Sequence, residues 1–406
     1  TEFDAQEKVP LSSNVHLCAT DLKYGTANIP SNTGPVPSTS PNVLFHCQRK
    51  KLLREDSMTL RKHIAGFAVT ALAAAIPAVA MADVSIYGRA HVSVDFLDDG
   101  ADYSETNLSS NSSRLGFKGD HEINSNLSAF FQIEQQIDFG TDNGSSFNTR
   151  DTFVGLKGGF GSVRMGRFDS PFKAARGPAN LFGDQVGDMR NLTRVGNARF
   201  DERYDNTIEY TTPDMSGFFA KLGYSVQEGT VADQDTDESV FSGSLNYAGD
   251  ALEASVAYET AEEDNGRGER DGVRAAGAFK ITDGIKLVGF YQTVDYSNPA
   301  ATAAVQDQLT SDTYGLGAEF KLASATALKG MWMTRDSDAD NYDTDMIAVG
   351  IEHKLDKAVR VYANYAITEN DENVALTPWG QARTANPAGA AGEDASGFSV
   401  GLRYDF

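Results

Sequence analysis

Positive side chains alternate with large apolar ones in the stretch 112–120, SSRLGFKGD. Arg114 and Lys118 occupy one set of alternate positions, and Leu115 and Phe117 occupy the other. Because successive side chains of a β-strand point to opposite faces, this spacing predicts a strand with one apolar face and one cationic face. The chemical question that this stretch raises is which structure places apolar residues on one face of a strand and positive charges on the other.

Acid–base, nucleophilic and metal chemistry are poorly represented. Beyond residue 82 the chain contains no cysteine and three histidines, His91, His121 and His353, and the HExxH motif does not occur. A catalytic triad needs a histidine oriented by a carboxylate, and a zinc site needs several neighbouring Cys or His ligands. We therefore expect neither an enzyme nor a metal ion or cofactor.

The segment 58–82 has the layout of a secretory signal peptide, with a basic start, an Ala-rich apolar run and a small-x-small site that ends at Ala82. The apolar run is short for a membrane span and contains Pro77. The preceding residues, 1–57, are rich in Ser, Pro and Asn without a sustained period, so we expect a disordered or non-native extension there. The predicted mature chain is 83–406.

This mature region is strongly acidic. The whole chain has a formal net charge of −22, and residues 1–82 contain 8 Lys and Arg against 6 Asp and Glu, so the remainder carries −24. Such a charge argues against binding to nucleic acid, whose affinity comes from neutralised phosphates. The mean hydropathy of −0.36 fits a water-soluble protein, but it also fits a β-barrel in which only alternate residues face lipid.

Sixteen segments of about ten alternating residues recur through the mature region. They lie near 84–96, 111–122, 127–139, 149–158, 161–168, 203–212, 217–228, 238–248, 251–261, 271–281, 284–296, 311–322, 325–335, 343–355, 358–368 and 395–406. Tight turns rich in Gly, Asn, Asp and Pro alternate with long acidic connections, of which 169–202 is the longest in the first half. This alternation is typical of a transmembrane barrel. The sequence therefore predicts an all-β, sixteen-stranded antiparallel transmembrane β-barrel.

The last strand shows the same pattern up to the final residue. Phe398, Val400, Leu402, Tyr404 and Phe406 are alternate residues, and all are apolar or aromatic. An exposed apolar edge strand would make a water-soluble protein aggregate, whereas in a barrel this strand pairs with the first one and faces lipid. The ending with Tyr404 and Phe406 also resembles the signal by which outer-membrane proteins are recognised for insertion.

Five stretches together carry a family resemblance. They are VSIYGRAHVSVDF (84–96), SSRLGFKGDHEINSNLSAFFQIE (112–134), RDTFVGLKGGFGSVRMGRFDSPFKAARGPANLFGD (150–184), RYDNTIEYTTPDMSGFFAKLGYS (203–225) and GLRYDF (401–406). In this order the sequence resembles the general porins of Gram-negative outer membranes. The resemblance covers 83–406 and implies a homotrimer of water-filled barrels, surrounded by outer-membrane lipid and lipopolysaccharide, that passes small hydrophilic solutes and ions.

The resemblance also implies where the pore is narrowest. In this family the third long loop folds into the lumen, and its carboxylates face a ladder of arginines on the wall. The matching residues are Arg89, Arg114, Arg167 and Arg203 on the wall and Asp184 and Asp188 on the loop, with Lys118 and Arg164 as further pore-lining candidates. The loop sequence NLFGDQVGD replaces the family's PEF-type acidic motif.

The position of Arg167 leaves two interpretations open. Arg167 shares its parity with Val163 and Met165, which should face lipid. Either Gly166 marks a β-bulge that re-aims the Arg167 side chain, or Arg164 is the lumen residue.

Three other functions compete with a diffusion pore. An outer-membrane enzyme would need a nucleophile or base near the long loops. A substrate-specific channel would need an aromatic track or a dense ladder of one charge, and an adhesin or structural barrel would need a plugged lumen. Sixteen strands make a wide barrel, which favours a pore.

Overall fold

The computed structural model describes residues 83–140, 148–226, 239–262, 266–381 and 383–406. The chain divides into two units, Thr1–Ala78 and Val79–Phe406, and every described residue belongs to the second. The predicted extension (1–57) and signal peptide (58–82) lie outside the described residues.

The described residues form eighteen β-segments and three short α-helices. The β-segments are β1 Asp83–Asp98, β2 Ser104–Ser110, β3 Arg114–Asn124, β4 Leu127–Gln136, β5 Asn148–Thr149, β6 Thr152–Gly158, β7 Gly161–Asp169, β8 Arg203–Thr211, β9 Phe218–Val226, β10 Ser239–Ala248, β11 Leu252–Ala261, β12 Glu269–Thr282, β13 Ile285–Ser297, β14 Ser311–Ala323, β15 Thr326–Ser337, β16 Thr344–Lys354, β17 Val359–Asn370 and β18 Ala395–Asp405. The helices are α1 Pro171–Ala175, α2 Arg190–Thr193 and α3 Ala303–Leu309, and 3-10 turns lie at Gly177–Ala179 and Gly196–Ala198. No helix in the described ranges is long and apolar enough to cross a membrane.

These segments form one closed barrel of sixteen strands. β2 and β3 both pair with β1, over its C-terminal and N-terminal halves respectively, so they are two parts of one barrel strand. β5 and β6 both pair with β4 in the same way. All pairings are antiparallel between neighbours in sequence, and β1 pairs with β18 from Arg89 opposite Asp405 to Asp98 opposite Ser396. The predicted sixteen-stranded antiparallel barrel is confirmed.

Local predictions were wrong at two places. The sequence pattern placed 97–110 in a loop, but β2 occupies its second half, because the polar residues of β2 pair with the C-terminal half of β1. The pattern also predicted no helices, yet α1 forms at the start of the third long connection. Ser170 caps this helix by accepting a hydrogen bond from the Lys173 amide at 3.1 Å, and Pro171 stands in its first turn, where the missing N–H costs nothing.

The two faces of each strand differ as the alternation predicts. In β1, Val94 and Phe96 are 42% and 50% exposed, whereas His91 and Asp95 are fully buried. The apolar side chains cover the outside of the barrel and the polar ones point inward, the reverse of a water-soluble protein. Arg114 and Lys118 share the inward face of β3, and Phe117 lies on the outer face opposite Ile86.

An arginine scan along one outer face tests this assignment. Leu316 and Leu322 both face outward on β14 and are 67% and 61% exposed, but Leu322 lies next to a short turn. We expect Leu316→Arg to destabilise the barrel by about 2–4 kcal/mol and Leu322→Arg by about 0–1 kcal/mol, because the cost of a buried charge falls toward the membrane surface. Reversible unfolding in lipid vesicles measures both values, and equal values would contradict the assignment.

Candidate functional site

The third long connection, 170–202, contacts inward-facing residues of three separated strands. Asn364 on β17 donates a hydrogen bond to Gln185 at 2.7 Å. Arg274 on β12 donates to Asp201 at 2.7 Å, and Arg89 on β1 donates to Asp184 at 3.2 Å. The outward neighbours Val273 and Tyr365 are exposed on the other side of the sheet. The connection therefore lies against the inner wall.

One end of this connection is fixed by buried charges. Asp201 and Arg274 are both fully buried, and Asp201 also accepts from Arg176 at 3.1 Å. The Arg274 guanidinium stacks on the Phe172 ring at 4.1 Å. Because a buried ion pair that loses one partner leaves an uncompensated charge, this cluster holds α1 in one position against β12.

The middle of the connection packs through apolar contacts and a close backbone approach. Phe182, Val186, Met189 and Leu192 are buried in one cluster with inward residues of the wall. Gly187 has a φ of +88°, and a Cβ there would lie 2.6 Å from the Ala348 side chain. Glycine is therefore required both by the left-handed backbone and by the close contact.

Between this connection and the wall lies a polar cavity of about 360 Å³, named here the charged cavity. Its border contains eight basic and four acidic side chains. The lining residues are Ser112, Arg114, Gln136, Arg150, Arg167, Asp169, Lys173, Arg176, Asp184, Arg190, Arg194, Asp201, Glu202, Arg203 and Gln381. Charged groups of both signs at such close range produce a strong local field in any water that fills the space.

The wall arginines are held by carboxylates on neighbouring strands. Arg114 and Arg150 share Glu134, at 3.6 Å and 2.6 Å. Arg203 contacts Asp151 at 2.5 Å and Asp169 at 2.8 Å. Since Glu134 is 5% exposed, it lies behind the arginines and fixes their side chains toward the cavity.

Arg89 joins the wall to the connection. Its Nη1 lies 3.2 Å from the Asp184 carboxylate, and its Nε lies 2.9 Å from Asp405 at the end of β18. It is not among the described residues that border the charged cavity, so it supports Asp184 from outside the cavity.

The structure contains elements of both interpretations of Arg167, the β-bulge at Gly166 and an inward-facing Arg164. The β7–β8 register shifts between Gly166 and Phe168, and Gly166 has a φ of +145°, so the bulge is present. Arg167 borders the charged cavity and contacts Asp205 at 2.7 Å. Arg164 lies deeper on the inner face, in a bidentate pair with Glu209 at 2.9 and 3.1 Å and over the Phe168 ring.

The two loop carboxylates differ in position. Asp184 borders the charged cavity and contacts Arg190 at 2.9 Å. Burial opposes the ionisation of Asp184, but the field of Arg190, Arg114 and Arg89 outweighs it and holds its pKa well below the ordinary value. Asp188, predicted to face the gap, is instead fully buried behind Asp184, where it accepts from the Arg190 side chain at 2.5 Å and from the Asp184 amide at 2.7 Å.

Sequence reasoning missed the basic residues that the connection itself contributes. Lys173, Arg176, Arg190 and Arg194 all border the cavity, as does Arg150 at the start of β6. The signal was visible in FKAAR (172–176) and RNLTR (190–194), but the connection was interpreted only as a source of carboxylates. Cations therefore come from both sides of the cavity.

The remaining predicted residues lie away from the charged cavity. Lys118 is an exposed inner-face residue whose Nζ lies 5.1 Å from the centre of the Tyr87 ring. Tyr404 and Phe406 point outward, with ring centroids 5.4 Å apart. The Phe406 backbone exchanges two hydrogen bonds with Gly88, at 2.8 and 3.0 Å, and so completes the closure of the barrel.

One catalytic spacing does occur but lacks its structural context. Residues 397–401 read GFSVG, the G-x-S-x-G spacing of a hydrolase nucleophile. That nucleophile requires a sharp strand-to-helix turn, whereas Ser399 is fully buried within β18 and donates to Asp95 at 2.6 Å. In the described ranges no group of three or more His, Cys, Asp or Glu residues could hold a metal ion.

Comparisons with known proteins agree with the barrel fold. A family model described as Gram-negative porin matches residues 68–373. Outer membrane porin protein 32 of Delftia acidovorans is 30% identical over 359 residues, covering 84% of this chain and 98% of its own. Major outer membrane protein P.IB of Neisseria meningitidis serogroup B is 26% identical over 355 residues, covering 82% and 97%. The solved anion-selective porin from Comamonas acidovorans superposes with a TM-score of 0.69 at 25% identity, covering 80% of this chain and all of its own.

Lys173 makes the charge of the cavity depend on pH. Burial, together with the nearby Arg203 and Arg176, lowers the pKa of its ammonium group to about 8, although Asp169 at 3.0 Å opposes the shift. The group is charged below this pKa and neutral above it. We therefore expect the chloride-to-potassium permeability ratio to fall about two- to fivefold as the pH rises from about 7 to about 9, because one nearby charge in water is worth about 1 kcal/mol.

Zero-current potentials measured across that pH range check this expectation. Lys173→Gln removes the titrating group, while Asp169 keeps Arg203 as its partner at 2.8 Å. This variant should show the lower ratio at all pH values. An equal fall in the variant and the native protein would assign the effect to other groups.

Proposed function

The chain belongs to the family of Gram-negative porins, and from this premise we propose that it is a diffusion channel whose charged constriction favours small anions. It is a β-barrel of the outer membrane, and porins conduct small solutes and ions. In this proposal the charged cavity is the narrowest region of the channel. The residues that border the cavity determine which ions pass through it.

The excess of cations around the charged cavity carries this proposal. Eight basic side chains border it against four carboxylates. A solute in a narrow, wet passage interacts most strongly with the charges nearest to it, because each interaction falls with distance and is screened by water and salt. An anion therefore meets a favourable local field.

Further carboxylates lie behind the arginines. Glu134, Asp151 and Asp188 each bind a bordering arginine without bordering the cavity. They reduce the net charge of the region, but their oxygens are directed at guanidinium groups and away from the passage. The field at the centre of the cavity is thus cationic while the cluster as a whole remains close to balanced, which lets many arginines lie together.

The electric field proposed for the charged cavity is opposite in sign to the net charge of the chain. The whole chain carries −22, and its acidic residues are numerous in the long connections. A channel selects ions by the residues that line it, so the chain's net charge does not determine its selectivity. The solved relative from Comamonas acidovorans is named an anion-selective porin, which supports the same preference here.

Three further assignments follow from the family resemblance. We propose that residues 58–82 direct export and that the terminal pair Tyr404 and Phe406 serves as the assembly signal. We also propose that three copies associate in the outer membrane, in contact with lipid and lipopolysaccharide. The outward apolar faces of the strands are suited to contact with lipid or with another barrel.

A double substitution tests the constriction without leaving a carboxylate unpaired. Arg114 shares Glu134 with Arg150, and Arg194 shares Glu202 with Arg199. We expect R114Q/R194Q to lower the chloride-to-potassium permeability ratio by at least about threefold, since each charge near a passing ion is worth about 1 kcal/mol in water. Reversal potentials in planar bilayers under a salt gradient measure the ratio.

The matched control is K280Q/K357Q, which removes two positive charges that border neither the charged cavity nor the turn-side cavity described below. Its permeability ratio should remain within about 30% of the native value, because distant charges are screened. A fall in the permeability ratio as large as that of R114Q/R194Q would contradict the constriction.

Neutral sugars of graded size should show a cut-off without saturation, as a diffusion pore requires, whereas saturation by one sugar would indicate a specific channel.

A further inference from the structure

A second polar cavity, named here the turn-side cavity, has a volume of about 310 Å³. It lies at the short-turn ends of five consecutive strands, β13 to β17. Its charged lining residues are Lys286, Glu319, Lys321, Lys329, Glu352, Lys354 and Arg360, and the third long connection contributes Asn180 and Leu181. Short turns of such barrels face the periplasm, so this cavity lies on the inner side of the constriction.

These charged side chains point into the lumen. Lys321 shares its parity on β14 with the buried Ser311 and Thr313, and Lys354 shares its parity on β16 with the buried Met346 and Ala348. Among the intervening residues, Leu316 and Phe320 on β14 and Val349 and Ile351 on β16 are apolar and exposed on the outer face. The cavity is therefore filled from the water inside the barrel, and membrane lipid has no access to it.

Positive charge exceeds negative charge in this lining, with five cations against two carboxylates. Glu352 is shared, because Lys329 lies 2.8 Å and Arg360 lies 3.6 Å from its oxygens. Glu319 contacts Lys286 at 3.6 Å. Both carboxylates are thus already engaged by other cations.

The ammonium groups of two lysines in this lining form no ion pair in the described ranges. Within the described ranges, Lys321 and Lys354 have no carboxylate within 4.0 Å. Lys354 also stands directly opposite Arg360 in the β16–β17 pairing. Like charges directly opposite each other in a sheet repel, so this arrangement is stabilised when an anion lies between them.

We propose that the turn-side cavity is a binding station for small anions with two negative charges, such as inorganic phosphate or short dicarboxylates. The inference rests on the proposed function, since it places a second anion site in series with the charged cavity. Conduction needs binding that is favourable enough for entry and weak or multiple enough for release. The third connection borders both cavities, so an ion that leaves one meets the other.

The charge pattern specifies the class of ligand. In the described ranges, Lys321 and Lys354 offer two positive charges without a carboxylate in ion-pair contact, with Lys286 and Arg360 on either side. A single chloride neutralises one of them, whereas a dianion neutralises both. Ammonium groups act as compact point charges, which suits a site that releases its ligand quickly.

Calorimetric titration of the detergent-purified protein with inorganic phosphate at pH 7.5 and low salt tests the proposal. The variant K321Q/K354Q removes the charges of these two lysines at exposed positions, where such changes alter stability little. We expect saturable binding to the native protein and at least about fivefold weaker binding to this variant, because two nearby charges are lost. Chloride should show a much smaller difference between the two proteins.

The control variant K280Q/K357Q removes the same charge from residues outside the lining and should bind phosphate like the native protein. Equal loss of affinity in both variants, or native binding in K321Q/K354Q, would overturn the proposal. Chloride currents recorded in parallel separate it from the proposed function: an absence of current in the native protein would refute the channel, while the calorimetry still reports on this site.

Discussion

Closure of the β1–β18 pairing is the constraint on which the rest of the structure depends. Lipid offers no partner for a backbone N–H or C=O, so a sheet can span a membrane only when it has no edge. Ten residues of β1 pair with β18, and the terminal Phe406 adds two further backbone hydrogen bonds to Gly88. Because the closed sheet has no edge, one face of each strand contacts lipid and the other faces the water inside the barrel.

Closure also explains where the charges are. An arginine on the outer face would cost several kcal/mol, so the cations are confined to the lumen, where the third long connection meets them. Buried pairs such as Arg274 with Asp201 hold the connection, and arginines that share carboxylates, such as Arg114 and Arg150, line the passage. We infer that the same ion pairs that stabilise the inner layer also set the electric field inside the charged cavity.

The barrel was predictable because alternation and loop length are local properties of the sequence. The strand number, the faces and the position of the long connection all followed from them. The site was only partly predictable. Which side chains of the connection border the cavity depends on its backbone path, including left-handed residues such as Asp184 and Gly187, and no periodic signal reports that path. Hence Asp184 borders the cavity while Asp188 is buried behind it, a difference that the sequence did not indicate, and the loop cations were missed.

We propose that ion selectivity is determined by the local excess of cations around the charged cavity and not by the negative charge of the whole chain. The most direct measurement is the zero-current potential of the native protein in a planar bilayer that separates two concentrations of potassium chloride. We expect a potential whose sign shows that chloride permeates more readily than potassium. A potential of the opposite sign would show that the acidic remainder of the chain governs selectivity and that the lining cations do not.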